Sequence, residues 1–238
     1  MRMNNSSRIL GAAIAAVLVG ASGIGNAGIR DTKHNLSNDG NSPGSLHTDT
    51  TEICVFCHTP HMNVAKGNNI PLWNHQVTTS TVSYTMYTSD TLNASIAAMN
   101  GPGTPENATV TTLCLSCHDG TVAINALYNA SNLTPTINCV GPAGWVADCK
   151  MPTTSNAALG TDLSNDHPVN FDYQGAIDNG DTTLNSVASL TGVRLYAGTV
   201  QCASCHDPHI DYNAATEQTP FLRVAITGST LCLRCHNK

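Results

Sequence analysis

Four short segments of the chain share one pattern of cysteine and histidine. In each, two cysteines are separated by two residues, and a histidine follows the second cysteine directly. Two thiols at this spacing can add to the two vinyl groups of one porphyrin, with the adjacent histidine under the iron as its proximal ligand. We therefore predict four covalently attached c-type haems. The cysteines are Cys54, Cys57, Cys114, Cys117, Cys202, Cys205, Cys232 and Cys235, and the histidines are His58, His118, His206 and His236.

Cysteine pairs of this spacing also build zinc sites and redox-active disulfides. Neither of those sites needs a histidine at the next position. Histidine makes up only 10 of the 238 residues, so its recurrence in all four motifs favours haem attachment over both alternatives.

Six further histidines are available as distal ligands, which is enough to give every iron two imidazoles. His61 and His209 each lie three residues beyond a proximal histidine, so they can reach a neighbouring haem but not the far side of their own. His167 precedes a proline that favours extended backbone, and the adjacent Asp166 could orient its ring. His34 completes this set of four. We expect the two spare histidines, His47 and His75, to lie in solvated loops, and Met62 is the alternative type of axial ligand.

The N-terminus has the order of a secretory signal peptide. Two arginines in the first eight residues precede an apolar run, Ile9–Val19, and small residues follow as far as Ala27. We predict a signal peptide over residues 1–27 and a single tetrahaem domain over residues 28–238. An uncleaved membrane anchor is the alternative. Export would place the mature chain outside the cytoplasm, where disulfides persist.

Two cysteines remain outside the motifs, Cys139 and Cys149. In an exported protein they are expected to form a disulfide that closes a short loop. Two free thiols in a divergent insertion are the alternative.

The composition predicts a fold that is mostly coil, organised around its four haems. Only 11% of the residues are charged and 5% are aromatic, and turn-forming residues occur throughout. We expect short helices after the haem motifs, one of them continuing to Tyr128, and a few strands, including Val77–Tyr87. Because the haems would replace an apolar core, apoprotein should be unfolded. The net charge of -6 and the lack of a basic run argue against nucleic-acid binding.

Several segments of the chain resemble filament-forming extracellular tetrahaem c-type cytochromes of metal-reducing bacteria. The resemblance starts near residue 30 and is carried by KHNLS, CVFCHTPH, PLWN, LCLSCHDG, NDHPVNFDY, VQCASCHDPH, FLRV and LCLRCHNK. It implies bis-histidine low-spin haems in a continuous stack, with one axial histidine donated by the adjoining subunit. It also implies that the distal ligands are His34, His61, His167 and His209. His75 and the insertion around Cys139–Cys149 are departures from the family pattern.

Together, the residues and the resemblance predict an electron-transfer protein and not an enzyme. We expect a homopolymeric filament outside the cell or at its surface, with periplasmic or outer-membrane cytochromes as electron donors. The resemblance suggests metal oxides or electrodes as acceptors. His34 is our first candidate for the ligand shared between subunits, with His209 and His61 as alternatives. The competing functions are a monomeric periplasmic electron shuttle and, less favoured, a haem reductase subunit with one open iron position.

Overall fold

The computed structural model describes residues 28–41, 44, 46–60, 72–78, 81–92, 108–129, 136–210 and 220–237. Most of these residues lie in turns and irregular segments between short helices and two-residue strands. The predicted class, mostly coil with few short helices and strands, is confirmed. The predicted signal peptide lies outside the described residues. No helix in the described ranges has the length and apolarity needed to cross a membrane.

The helices of the described ranges are all short. The α-helices are α1 (Val110–His118), α2 (Ala143–Asp148), α3 (Tyr173–Asp178), α4 (Cys202–Cys205) and α5 (Cys232–Cys235). The 3-10 helices are Gly28–Asp31, Cys54–Phe56, Val187–Ser189 and Thr227–Ser229.

Pairs of short strands connect distant parts of the chain. The strands are β1 (His47–Thr48), β2 (Thr85–Met86), β3 (Cys139–Val140), β4 (Asp162–Leu163), β5 (Phe171–Asp172) and β6 (Thr199–Val200). β1 pairs with β3 and β5 with β6 in antiparallel fashion, whereas β2 and β4 are parallel. Of the strand expected over Val77–Tyr87, the structure forms β2.

Helix α1 corrects one expectation about the second motif. The motif lies inside the helix, which ends at His118, and the residues after it form turns instead of a helix reaching Tyr128. The Thr109 side chain caps the first turn by accepting a hydrogen bond from the backbone N–H of Thr112, at 3.3 Å. Gly120, with φ of +72°, lies just past the C-terminus, where glycine tolerates the left-handed conformation that stops a helix.

Among the described residues the apolar core forms three small clusters, each of which contains or contacts residues of a haem motif. The first contains Phe56, Ile124, Ile137, Cys139, Trp145 and Cys149, with Cys57 and Cys117 packed against it. The second contains Tyr84, Met86, Leu115 and Leu163. The third contains Phe171, Tyr173, Ala176 and Val200, with Cys235 at its edge. The first and second motifs therefore meet at one cluster, Leu115 of the second belongs to another, and the fourth borders the third cluster.

The expected disulfide joins Cys139 to Cys149, whose Cα atoms are 5.5 Å apart. The loop that it closes carries Trp145, which is 1% exposed and donates its indole N–H to the His47 carbonyl at 3.0 Å. The Cys149 carbonyl accepts from the backbone N–H of Ile124 at 2.8 Å. The insertion is thus attached on both sides and contributes directly to the first core cluster.

Candidate haem-attachment sites

Each of the four motifs begins on a single helical turn. In a helix, residues three and four positions apart share one face, so the spacing brings both thiols and the histidine to the same side. The backbone N–H of the histidine closes this turn by donating to the carbonyl of the first cysteine. In the first, third and fourth motifs these hydrogen bonds are 2.8, 3.0 and 2.9 Å long, for His58, His206 and His236.

Three of the four proximal histidines face another histidine that is distant in sequence. The ring centres of His118 and His34 are 6.0 Å apart, and those of His58 and His209 are 6.1 Å apart. The ring centres of His236 and His167 are 6.4 Å apart. In each pair the second member is a residue that the sequence predicts to be a distal ligand.

These separations fit a pair of axial ligands on one iron. Two imidazoles bound to opposite sides of an iron through Nε2 have ring centres about 6 Å apart, because each metal–nitrogen bond is about 2 Å long. Direct stacking or hydrogen bonding between the rings would bring them closer. The residues present therefore fit three haem irons, each held between two imidazoles.

Hydrogen bonds at Nδ1 orient several of these rings and leave Nε2 available. Nδ1 of His118 lies 2.7 Å from the Ala157 carbonyl, and Nδ1 of His206 lies 2.9 Å from the Pro220 carbonyl. A histidine that ligates a metal commonly donates its other ring N–H to a carbonyl or carboxylate.

The proposed distal ligands show the same arrangement at two positions. Nδ1 of His167 is 2.9 Å from the Pro168 carbonyl, so the residue after the histidine orients it and Asp166 does not have that role. Nδ1 of His209 is 3.1 Å from the Asp207 carboxylate. Asp207 also forms a 3.0 Å ion pair with Arg223, which holds the carboxylate in place.

His34 is fixed by aromatic packing instead. Its ring stacks on Phe221 with centres 4.4 Å apart and planes 18° from parallel, and its buried Nδ1 has no hydrogen-bond partner among the described residues. Burial, together with the nearby charges of His118, His206 and His209, lowers the pKa of His34 to about 4. The ring is therefore neutral at pH 7, as a metal ligand must be. Phe221 has a φ of +57°, an unusual conformation for a bulky residue.

The third motif has no facing histidine in the part of the chain that the structure describes. Among the described residues, His206 makes no ring contact with another imidazole. The remaining predicted distal ligand, His61, lies outside the described residues, as does Met62.

Interactions between cysteines indicate which motifs are neighbours. The Cys114 and Cys202 thiols are hydrogen-bonded, which raises the pKa of Cys114 and lowers that of Cys202. Burial, followed by the neighbouring Cys57, raises the pKa of Cys117. The second motif is therefore adjacent to both the first and the third.

The last two motifs are also neighbours. Burial is the main cause that raises the pKa of Cys205 to about 11, and the charge of Cys235 is the second. The third motif is therefore near the fourth, and it also approaches the first, because His209 faces His58 at 6.1 Å. Thioether attachment would consume these thiols.

Two aspartates that directly follow proximal histidines make hydrogen bonds that were not predicted from the sequence. Asp207 orients His209, as described above. Asp119 is 7% exposed, and its carboxylate accepts hydrogen bonds from Thr78 at 2.7 Å, Tyr84 at 2.5 Å and Thr121 at 2.8 Å. The repeated His-Asp step in the second and third motifs is the signal that could have identified both. Phe221 had no such signal, since its contact with His34 spans most of the chain.

An open pocket of about 400 Å³ is bordered by Cys54, His58, Thr59, Pro60 and Leu72. His47 lies in β1 and is half-buried, so it is in a strand and not in the expected solvated loop. His75 is fully buried, so the expectation that it lies in a solvated loop is wrong. Within the described ranges, no group of three or more histidine, cysteine or acidic side chains is arranged to hold a metal ion.

No family model matches this chain, and no curated protein matches it significantly.

Proposed function

We propose that this protein is a tetrahaem c-type cytochrome that transfers electrons. The observation that carries the proposal is the pairing of three proximal histidines with three remote histidines at 6.0 to 6.4 Å. Each pair starts from a motif whose two thiols can attach the same porphyrin. A chain that brings three such pairs together across large sequence separations has the ligands for bis-histidine irons.

The protein groups have separate roles in this proposal. The eight motif cysteines hold the porphyrins, the four motif histidines bind the irons on one side, and His34, His61, His167 and His209 bind them on the other. When bound, the haem supplies one-electron chemistry by cycling between Fe(III) and Fe(II). Two imidazoles per iron leave no coordination position for a substrate, so we infer electron transfer and not catalysis.

The proximity of the motifs supports a path for electrons between haems. Interactions between cysteines indicate that the first motif is near the second, the second near the third and the third near the fourth, and the His58–His209 pair also brings the first and third together. Porphyrins attached at adjacent motifs would have edges close to one another. Electrons would then pass between haems attached at neighbouring motifs.

We further propose that the chain is the subunit of an extracellular filament in which one axial histidine crosses between subunits. His34 and His209 each face a proximal histidine of their own chain, which argues against either as the crossing ligand. No imidazole of the described residues faces His206, and His61 is the remaining candidate for the crossing ligand. The resemblance to filament-forming tetrahaem cytochromes supports this assembly.

Charge and the predicted signal peptide define the expected setting. Sixteen acidic and ten basic residues favour basic partners or contacts made through bound cations. Cytochromes of the periplasm or outer membrane would be the donors, and extracellular metal oxides or electrodes the acceptors.

Two measurements on native material test the proposal. Intact mass and pyridine haemochrome absorbance should give four covalent haems per chain, and fewer than four would contradict the cofactor assignment. Negative-stain electron microscopy of the extracellular fraction, with the chain identified by mass spectrometry, should then show thin regular filaments. Discrete single-subunit particles, under conditions that preserve other filaments, would favour the monomeric shuttle.

Carbon monoxide separates electron transfer from catalysis. Added to the reduced filament, it should leave the spectrum unchanged, because every iron has two imidazoles. Binding to a quarter of the haem would indicate one open iron and favour the reductase subunit.

A further inference from the structure

His75 is a buried polar residue that the proposed ligand set does not use. Its side chain is 0% exposed, with Nδ1 at 3.1 Å from the Ser116 hydroxyl and Nε2 at 3.0 Å from the Ala123 carbonyl. Both ring nitrogens are engaged by the protein. An imidazole held in this way has no free nitrogen for iron.

The same ring contacts the second thiol of the second motif. The Cys117 sulfur lies 3.9 Å from Nδ1 and 3.8 Å from Nε2 of His75. Since the two distances are nearly equal, the sulfur lies against the imidazole and is not directed at one nitrogen. His75 therefore contacts an atom that would be bonded to haem.

The backbone around His75 connects the first motif to the second. The preceding residue, Asn74, donates its backbone N–H to the Cys57 carbonyl at 3.0 Å and its side-chain amide to the Val55 carbonyl at 2.7 Å. The following residue, Gln76, donates its backbone N–H to the Ala126 carbonyl at 2.8 Å. The imidazole is thus held by the backbone of the first motif and by the segment after the second.

Ser116 extends this connection into α1. Its hydroxyl is buried and also lies 2.7 Å from the Leu113 carbonyl, one turn earlier in the helix. The contact between His75 and Ser116 therefore links the connecting segment to the helix that presents the second pair of thiols.

We propose that His75 is a positioning residue for the second haem, an inference that rests on the proposed function. Through Ser116 and Ala123 it fixes the Cys117 sulfur relative to the first motif, and its polar ring contributes to the environment of that thioether. A polar surrounding favours the ferric state, which carries more charge, so local polarity is one determinant of a haem potential. Loss of the imidazole should therefore raise the potential of one haem out of four.

The first step of the test measures haem content in the wild-type holoprotein. Four haems per chain allow the test of His75, whereas a lower number contradicts the proposed function itself. The two ideas can therefore fail separately.

The second step compares three full-length holoprotein variants by spectroelectrochemical titration. In His75→Leu, one of the four redox steps should shift to higher potential. The equilibrium constant of that reduction should rise about tenfold, which corresponds to 59 mV for one electron. His75→Gln keeps an amide that can donate to the Ala123 carbonyl and should shift the same step by less. His47→Leu is the matched control at the other spare histidine and should behave as wild type.

Several results would overturn the proposal. One is a His75→Leu protein whose redox steps and haem content equal those of His47→Leu. Another is an equal shift of all four steps, or equal effects of leucine and glutamine, since either indicates general loosening of the fold. If His75→Leu does not accumulate, Ser116→Ala takes its place. It removes one partner of the ring and should move the same single step upward by less than tenfold, and an unchanged titration would refute the role of His75.

Discussion

The pairing of His34 with His118 leads to a prediction that separates iron ligation from packing. The centre of the His34 ring lies 6.0 Å from that of His118, so His34 can offer a ring nitrogen to an iron between them. The face of the same ring is stacked on Phe221. His34→Phe retains the face and removes the nitrogen, whereas His34→Ala removes both. We expect both variants to open one iron, but only the alanine variant to lose the stacking energy as well.

The size of each effect follows from the structure. One open iron among four corresponds to a quarter of the total haem. An aromatic pair in good geometry contributes about 0.5–1.5 kcal/mol beyond the area that it buries. His34→Ala should therefore be less stable than His34→Phe by at least about 1 kcal/mol, because it also leaves a cavity beside Phe221.

Carbon monoxide titration of the reduced holoproteins provides the assay. Both variants should bind carbon monoxide at one quarter of the haem more than wild type does. The control variant His47→Phe should bind no more than wild type. Denaturant unfolding of the same samples measures the stability difference. If His34→Phe binds no additional carbon monoxide, while retaining four haems, then His34 is not an iron ligand and the distance criterion used for all three pairs fails.

Three further predictions concern the disulfide, pH and Phe221. Replacing Cys139 and Cys149 by serine should lower the free energy of unfolding by about 3 kcal/mol, since the disulfide closes a loop with a sequence separation of 10; an unchanged denaturant midpoint would contradict this. Because burial lowers the pKa of His34 to about 4, the unfolded chain takes up its proton first as the pH falls below about 6.5. Between pH 7 and pH 5 wild type should then lose about 2 kcal/mol of stability relative to His34→Phe, and equal losses would show that His34 is not buried in the holoprotein. Phe221→Ala should cost about 3 kcal/mol and make the second haem partly accessible to carbon monoxide, whereas full exclusion of carbon monoxide would show that Phe221 does not hold His34.

Much of the fold class followed from composition. The scarcity of charged and aromatic residues, with turn formers throughout, predicted a chain of short elements, and the structure has small paired strands and short helices. The prediction of a helix after the second motif, continuing to Tyr128, was wrong, because the helix ends at His118. The motif requires its two thiols on one face, so the helix must contain the cysteines and cannot simply follow them.

The sequence by itself determined which residues can attach and ligate haem, because C-x-x-C-H is a local pattern whose chemistry depends on residues within one turn of helix. The tertiary structure decided which remote histidine faces which motif: His34 is 84 positions from its partner and meets it through a stack on Phe221. It also showed that His75, taken from sequence as a solvated spare, is buried against Cys117. A local spacing cannot specify these contacts, since they depend on how a chain with few regular elements folds back over long loops to satisfy its buried polar groups.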